Sequence, residues 1–256
     1  YWRDWSSDVC SSDLEVGMRC YTYLSTMHYM LEAAAENSIP VLVLDRPNPL
    51  AMWGRAGDML DKEHASFLGK IPTTLLHGST VGAIATSINK KIGAQLTVLS
   101  CCSESEAHKQ SIRATSTSHI PHFFYHRAFI PPSPNLGSLN AVIAYPMTVF
   151  IEGTNYSEGR GTEYPFQQIG APWVKKYQLA QELNRLHLPG IYFEPVSFSP
   201  CSIKGVSESP KHKNMICEGV FVHIYCQSEV KPVDTAEAII TTLFKLYPKE
   251  SKLVSY

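Results

Sequence analysis

Apolar positions alternate between two textures along the first half of the chain. Between residues 22 and 37, Leu24, Met27, Leu31, Ala34 and Ala35 fall at helical spacing and predict an amphipathic helix. Asn37-Ser38-Ile39-Pro40 ends it. Val41-Leu42-Val43-Leu44 follows as an unbroken apolar run, the pattern of a strand buried on both faces in a parallel sheet. The alternation then repeats more weakly. Residues 71–76 predict a short strand leading into His77-Gly78-Ser79-Thr80. Thr80 predicts the N-cap of a helix over residues 81–90, with Val81, Ile84, Ala85 and Ile88 facing inward. Residues 96–99 predict another strand. Residues 101–127 are polar, rich in His and Ser and without a period, and read as a long surface excursion. This βαβα order predicts a layered α/β domain with a mostly parallel sheet over residues 15–131.

Pro131-Pro132-Ser133-Pro134-Asn135 marks a domain junction, and the texture changes beyond it. Residues 142–151 read as a strand interrupted at Tyr145-Pro146, and a polar, glycine-rich loop fills residues 152–165. A helix is expected over residues 173–187 and a strand over 191–195. Residues 219–226 alternate, placing Val220, Val222, Ile224 and Cys226 on one side. A final amphipathic helix over 235–246 carries Ile239, Ile240, Leu243 and Phe244. These features predict a smaller α+β domain over residues 132–256, with no internal repeat.

Residues 1–14 fit neither texture. Their Ser-Ser-Asp repeat resembles one reading frame of a sequencing-library adapter, so they read as a non-native scar outside the fold. They also lack the basic start and apolar stretch of a signal peptide. The chain has 256 residues, with 22 Lys+Arg against 23 Asp+Glu. That balance argues against a phosphate-tracking nucleic-acid surface and a polybasic membrane anchor. No apolar run is long enough to span a bilayer. Seven cysteines form no Cys-x-x-Cys pair, and adjacent Cys101 and Cys102 do not suit a tetrahedral metal site, so no metal is expected. The cysteines read as small buried hydrophobes, with one disulfide among Cys201, Cys217 and Cys226 as the alternative.

The densest polar cluster is Glu152-Gly153-Thr154-Asn155-Tyr156-Ser157-Glu158-Gly159-Arg160-Gly161-Thr162-Glu163. Its carboxylates, amide and hydroxyls suit a sugar, and Arg160 between two glycines presents an open fork for a ligand carboxylate. The competing reading is a connecting loop with an internal Arg–Glu pair. Arg19 and Tyr21 enter the first helix, where a cap with aromatic packing competes with a site role. Asp45 and Asn48 sit at the carboxyl end of a predicted strand, where ligands bind in open α/β sheets. There the alternative is a self-satisfied turn with Asp45 paired to Arg46. His77 before Gly78 is an acid–base candidate or a core histidine. No P-loop, Gly-x-Ser-x-Gly, His-Glu-x-x-His or dinucleotide fingerprint occurs.

Together these segments resemble the NamZ-type exo-β-N-acetylmuramidases, glycoside hydrolases of peptidoglycan fragments. The likeness begins at Glu15-Val16-Gly17-Met18-Arg19-Cys20-Tyr21-Thr22-Tyr23 and continues at Val43-Leu44-Asp45-Arg46-Pro47-Asn48-Pro49. It runs on through His77-Gly78-Ser79-Thr80 and Pro132-Ser133-Pro134-Asn135-Leu136 to the cluster from Glu152 to Thr162 and Pro165-Phe166. The family has Asp-Val-Gly where this chain has Glu15-Val16-Gly17, and the likeness lapses over residues 101–130. The family also continues upstream, into a Glu-His-Gly-type motif, and further at the C-terminus. The chain therefore reads as a fragment cut at both ends.

The resemblance implies a Rossmann-like first domain, a smaller α+β second domain and an active site in the cleft between them. It implies release of N-acetylmuramic acid from the non-reducing ends of peptidoglycan-derived muramyl saccharides, without a cofactor, in a periplasmic or secreted setting. Glycoside hydrolysis needs a proton donor and a second group for nucleophile or water. Of the residues present, the motif match makes Glu152 the first choice for a cleft carboxylate, with Glu158 behind it. The family's upstream Glu-His-Gly-type motif holds a leading candidate for the catalytic carboxylate. The motif match gives Arg160 the lactyl carboxylate, and Asn155, Asp45, Asn48, Tyr21, Arg19 and His77 the remaining substrate contacts. A catalytically inactive carbohydrate-binding protein of the same fold is the first alternative. A nucleotide-dependent Rossmann-type enzyme is the second, disfavoured by the missing glycine fingerprint.

Overall fold

The protein is represented by a computed structural model that describes residues 15–100 and 129–254. The expected scar at residues 1–14 and the expected excursion at 101–127 lie outside the described residues. The chain forms two compact units, Tyr1–Ala128 and Phe129–Tyr256. Its architecture is mixed α/β with a parallel strand pair.

In the first unit, helix α1 (Tyr23–Glu36) precedes β1 (Val41–Leu44). Two short strands follow, β2 (Arg55–Ala56) and β3 (Leu76–His77), then α2 (Val81–Ile92) and β4 (Leu96–Leu99). β1 and β4 pair in parallel, with Val41 opposite Leu96 and Leu44 opposite Leu99. Leu31, Ala85 and Ala94 form a core cluster that Val41, Val43, Ile88 and Leu96 pack against. Thr80 caps α2 as expected, its Oγ1 accepting the Ala83 N–H at 3.2 Å.

Two expectations change here. Among the described residues β1 is covered on one face: Val41 and Val43 meet the helices, while Leu42 and Leu44 are 49% and 45% exposed. Among the described residues both helices in contact with this strand pair lie on the same side. The strand expected over 71–76 is only Leu76–His77 and pairs antiparallel with Arg55–Ala56 rather than joining β1. Residues 17–19 add to it from the other side: Arg19 N–H donates to Leu75 O and His77 N–H to Gly17 O. His77 is therefore part of a strand and lies fully buried.

In the second unit, α3 (Leu139–Thr148) runs into a 3-10 turn, Val149–Gly153. Strand β5 (Gln168–Ala171), helix α4 (Lys176–Arg185), strands β6 (Ile191–Phe198) and β7 (Cys217–Ile224) and helix α5 (Pro232–Leu246) follow. The sheet is antiparallel in the order β5-β7-β6. Helix α4 packs on β6 and β7 and against α5. The inner face carries Ile169, Phe193, Val220 and Val222, all buried.

The strand expected over 142–151 is a helix. Ser138 caps it, accepting the Ala141 N–H at 3.1 Å, and every side chain from Ala141 to Thr148 is buried. A helix buried all round has no polar face, so its apolar run carries no helical period. Pro146 inside it costs one backbone hydrogen bond. β5 was not expected at all. The expected helix and final strands of this half are present, with ends shifted by a few residues. Cys20, Cys201, Cys217 and Cys226 are free thiols; Cys10, Cys101 and Cys102 lie outside the described residues. Burial pushes the Cys217 thiol up to about 11.

The cap gives a direct test of the α3 reassignment. Ser138→Ala should lower stability by about 1 kcal/mol, read as a lower urea midpoint at unchanged m-value. An unchanged midpoint would mean that Ser138 caps nothing.

Candidate active site

The polar loop after α3 folds back on the edge of β5. Ser157 and Gly170 exchange backbone hydrogen bonds of 2.8 and 3.1 Å, and Phe166 N–H closes the loop on Glu158 O at 2.7 Å. Gly161 has a φ of +79°, and a Cβ there would stand 2.5 Å from Cys201 O. Only glycine fits that position, and it turns the neighbouring Arg160 back toward the loop.

Arg160 joins the two glutamates. Its guanidinium donates to Glu152 Oε1, its Nε lies 3.5 Å from Glu158 Oε1, and it lies over the Phe166 ring at 5.1 Å. Lys211 supplies the second cation. Its ammonium donates to the carbonyls of Ile151, Glu152 and Tyr156 at 3.0, 2.9 and 3.0 Å. It also stands 3.1 Å from Glu158 Oε2. An ammonium has three protons, and the three carbonyls take them. Glu158 Oε2 therefore meets Lys211 as an ion pair without a hydrogen bond. Burial raises the Glu152 carboxyl above its ordinary pKa; Arg160 opposes that rise, Glu158 adds to it and Lys211 opposes it.

Asn155 is engaged by the chain's last described segment. Its Nδ2 donates to Glu250 O at 2.8 Å and its Oδ1 accepts Lys252 N–H at 2.9 Å. Tyr156 Oη and Ser251 Oγ share a 2.7 Å hydrogen bond beside it.

Asp45 Oδ1 accepts the backbone N–H of Gly82 at 2.8 Å and of Arg46 at 3.0 Å, and Oδ2 accepts the Thr80 hydroxyl at 2.8 Å. It thus secures the N-terminus of α2; its tie to Arg46 is to the main chain. Asn48 accepts Leu50 N–H at 2.8 Å and donates to Ser79 O at 3.1 Å. Gly17, at φ +92°, makes room for it, since a Cβ there would lie 2.2 Å from Asn48 Oδ1. Arg19 donates to Asp58 O at 2.8 Å and Thr73 O at 2.6 Å. Tyr21 packs edge-on against Tyr23 at 4.8 Å. His77 Nε2 lies 3.4 Å from Glu15 Oε1, and both side chains are buried. The same Glu15 oxygen accepts Val16 and Gly17 N–H.

The structure thus brings Glu152, Glu158 and Arg160 together in the second unit, and within the first unit it brings Asp45 and Asn48 to the start of α2. Sequence reasoning missed Lys211 and the Glu15–His77 pair. Lys211 lies more than fifty positions from the oxygens it binds, so no spacing signals it. Among the described residues, no cluster of His, Cys, Asp or Glu is placed to hold a metal. No described helix is long and apolar enough to cross a membrane.

The sequence model of the N-terminal part of the exo-β-N-acetylmuramidase NamZ matches residues 7–140, and that of its C-terminal part matches residues 143–255. The chain belongs to the NamZ family. It is 39% identical over 251 residues to the peptidoglycan β-N-acetylmuramidase NamZ of Bacillus subtilis, covering 97% of this chain and 56% of that protein. Two DUF1343 family proteins of Bacteroides fragilis are similar in structure, each 28% identical. Their TM-scores are 0.76 and 0.60, over 93% and 91% of this chain and 58% and 57% of theirs. The chain therefore spans a little over half the length of the NamZ relatives it matches.

Two outcomes follow from the charge cluster. Lys211→Met leaves three carbonyls and a buried carboxylate without their cation, and should cost about 2–4 kcal/mol of unfolding free energy. Lys211→Met with Glu158→Gln should recover part of that loss in urea titrations. A raised folded-state pKa at Glu152 means that the folded chain holds this proton more tightly than the unfolded chain. Its contribution is present below the ordinary carboxyl pKa and is lost as pH rises through the raised value. Glu152→Gln should therefore gain stability relative to the parent across that rise; a constant difference from acid to neutral pH would refute it.

Proposed function

We propose that the protein is a glycoside hydrolase of the exo-β-N-acetylmuramidase type, acting on the non-reducing ends of peptidoglycan-derived muramyl saccharides. The observation that carries this reading is a pair of carboxyl groups in unequal surroundings, joined by one arginine in a glycine-bounded loop. Glu152 serves as proton donor to the leaving oxygen, because burial raises its pKa and keeps the proton available at higher pH. Glu158, with Lys211 and Arg160 on either side, supplies the second carboxylate. Arg160, engaged by both, holds them in register and is the candidate partner for the lactyl carboxylate of muramic acid.

The finer architecture belongs to the same reading. A Rossmann-like domain over 15–131 is supported by the parallel β1–β4 pair with α1 and α2 beside it. An α+β domain over 132–256 is supported by the antiparallel sheet. Asn155 shapes the backbone beside Glu152 and Glu158, and Asp45, Asn48 and Arg19 shape the backbone of the first unit, since their polar groups are bonded to main chain.

Protein expressed from the gene that encodes this chain should release chromophore from a chromogenic N-acetylmuramide and leave the matching N-acetylglucosaminide intact. Glu152→Gln should lower kcat by about 10²–10⁴-fold and remove the alkaline limb of the pH profile. A Glu152→Gln enzyme with parental kcat would overturn the assignment. Sugar binding without release would leave the inactive carbohydrate-binding reading.

A further inference from the structure

The β5-β7-β6 sheet has helices on its inner face, while the outer face carries a row of rings. Tyr164, at the end of the candidate active-site loop, meets Phe221 edge-on with centroids 5.4 Å apart. Phe221 is followed by His223 at 4.7 Å, and His223 by Tyr192 at 6.3 Å. The strand register sets this order: Tyr192 lies opposite His223, and Glu194 opposite Phe221. Residues two apart on a strand share a face, so the row is built into the pairing of β6 and β7. Tyr164 and Tyr192 are 46% and 51% exposed. Glu194 accepts or shares a 2.6 Å hydrogen bond with His223 Nε2, leaving its other carboxylate oxygen outside that bond.

We propose that this row is a glycan-binding platform that stacks successive pyranose rings of a β-1,4-linked saccharide beyond the candidate active site. The inference rests on the reading of that site as a muramidase centre and adds where the rest of the glycan lies. Three observations choose a saccharide as the occupant. First, the face is aromatic rather than aliphatic: Val196 is the only aliphatic side chain among the outward positions of the three strands. Pyranose C–H groups pack well on the electron-rich face of an aromatic ring, whereas a protein partner would call for an aliphatic centre. Second, no outward position is Lys or Arg, so the face offers no counter-charge to a phosphate chain. The Glu194–His223 pair supplies instead the hydroxyl- and amide-directed polar groups that orient a neutral sugar.

Third, the row is continuous with the loop that carries Glu158 and Arg160. Thr162 Oγ1 accepts from the outward-facing Gln168 at 2.7 Å, so the loop covers the β5 side of the face. Tyr164 stands two residues further on, where the loop ends and the open part of the sheet begins. Each step along the row is comparable to the length of one sugar residue.

The test uses N-acetylchitotetraose, an uncharged β-1,4-linked probe without a lactyl group, titrated calorimetrically into the chain. Saturable binding is expected, weakened about tenfold or more by Tyr164→Ala combined with Tyr192→Ala, and unaffected by Glu152→Gln. Tyr192→Leu keeps apolar bulk without the ring and should also weaken binding, which guards against misfolding of the double variant. In the active protein, the double variant should raise KM for long glycan strands and leave turnover of the short chromogenic N-acetylmuramide unchanged.

Absence of saturable binding by the parent chain would overturn the proposal, as would equal binding by the ring variants. So would equal weakening by Glu152→Gln, which would place the probe at the active site, or a dimer dissolved by the ring substitutions, which would make the row a self-contact. Probe binding with no release of muramide would instead count against the proposed function while leaving the platform standing.

Discussion

One ammonium group sets the loop on which the candidate site depends. The 3-10 turn that ends α3 leaves carbonyls pointing out of the turn, and such orphan acceptors need partners when water is excluded. Ile151 O is already shared by the backbone N–H and hydroxyl of Thr154. Lys211 reaches this turn from a distant loop and adds its three protons there. Once the ammonium is fixed, Glu158 can lie almost wholly buried beside it, because the cation offsets the loss of water around the carboxylate. Glu158 then holds Arg160, and Arg160 holds Glu152. The order of dependence runs from Lys211 outward, and the least buried member of the series, Arg160, owes its place to the most buried one.

The first unit uses polar side chains in a related way. Asp45, Asn48 and Arg19 each bond to backbone groups of segments far from their own in sequence or at the start of a helix, and Glu15 accepts from the backbone of the two residues that follow it. Such bonds are short-range and directional, so they fix the path of irregular chain that has little apolar surface to bury. The long stretch between β1 and α2 is of this kind. The NamZ motifs of this half thus read physically as main-chain clamps.

What could be read from the sequence follows from how each element is buried. α1, α2 and α5 have one apolar and one polar side, and their periods give them away. α3 has neither, since its whole circumference is buried, and a continuous apolar run is as consistent with a strand. β5 is Gln-Ile-Gly-Ala, buried at every position, and nothing in it alternates. β1 shows the converse error: its four apolar residues suggest two covered faces, while the described residues cover one. For the site, composition located the Glu152–Arg160 loop and its internal Arg–Glu pair. Lys211 was invisible because its partners are backbone oxygens, which exist at every position and leave no mark on spacing.

The unequal treatment of the two glutamates is the feature that gives the cluster chemical direction. Two carboxyl groups sharing one arginine would compete for it on equal terms if nothing else intervened. Lys211 distinguishes them: its ammonium stands 3.1 Å from Glu158 Oε2 and donates to the backbone carbonyl of Glu152. Burial raises the Glu152 carboxyl pKa, and both cations oppose the rise. The difference in their surroundings comes from a lysine that bonds to backbone carbonyls and needs no contact with a substrate.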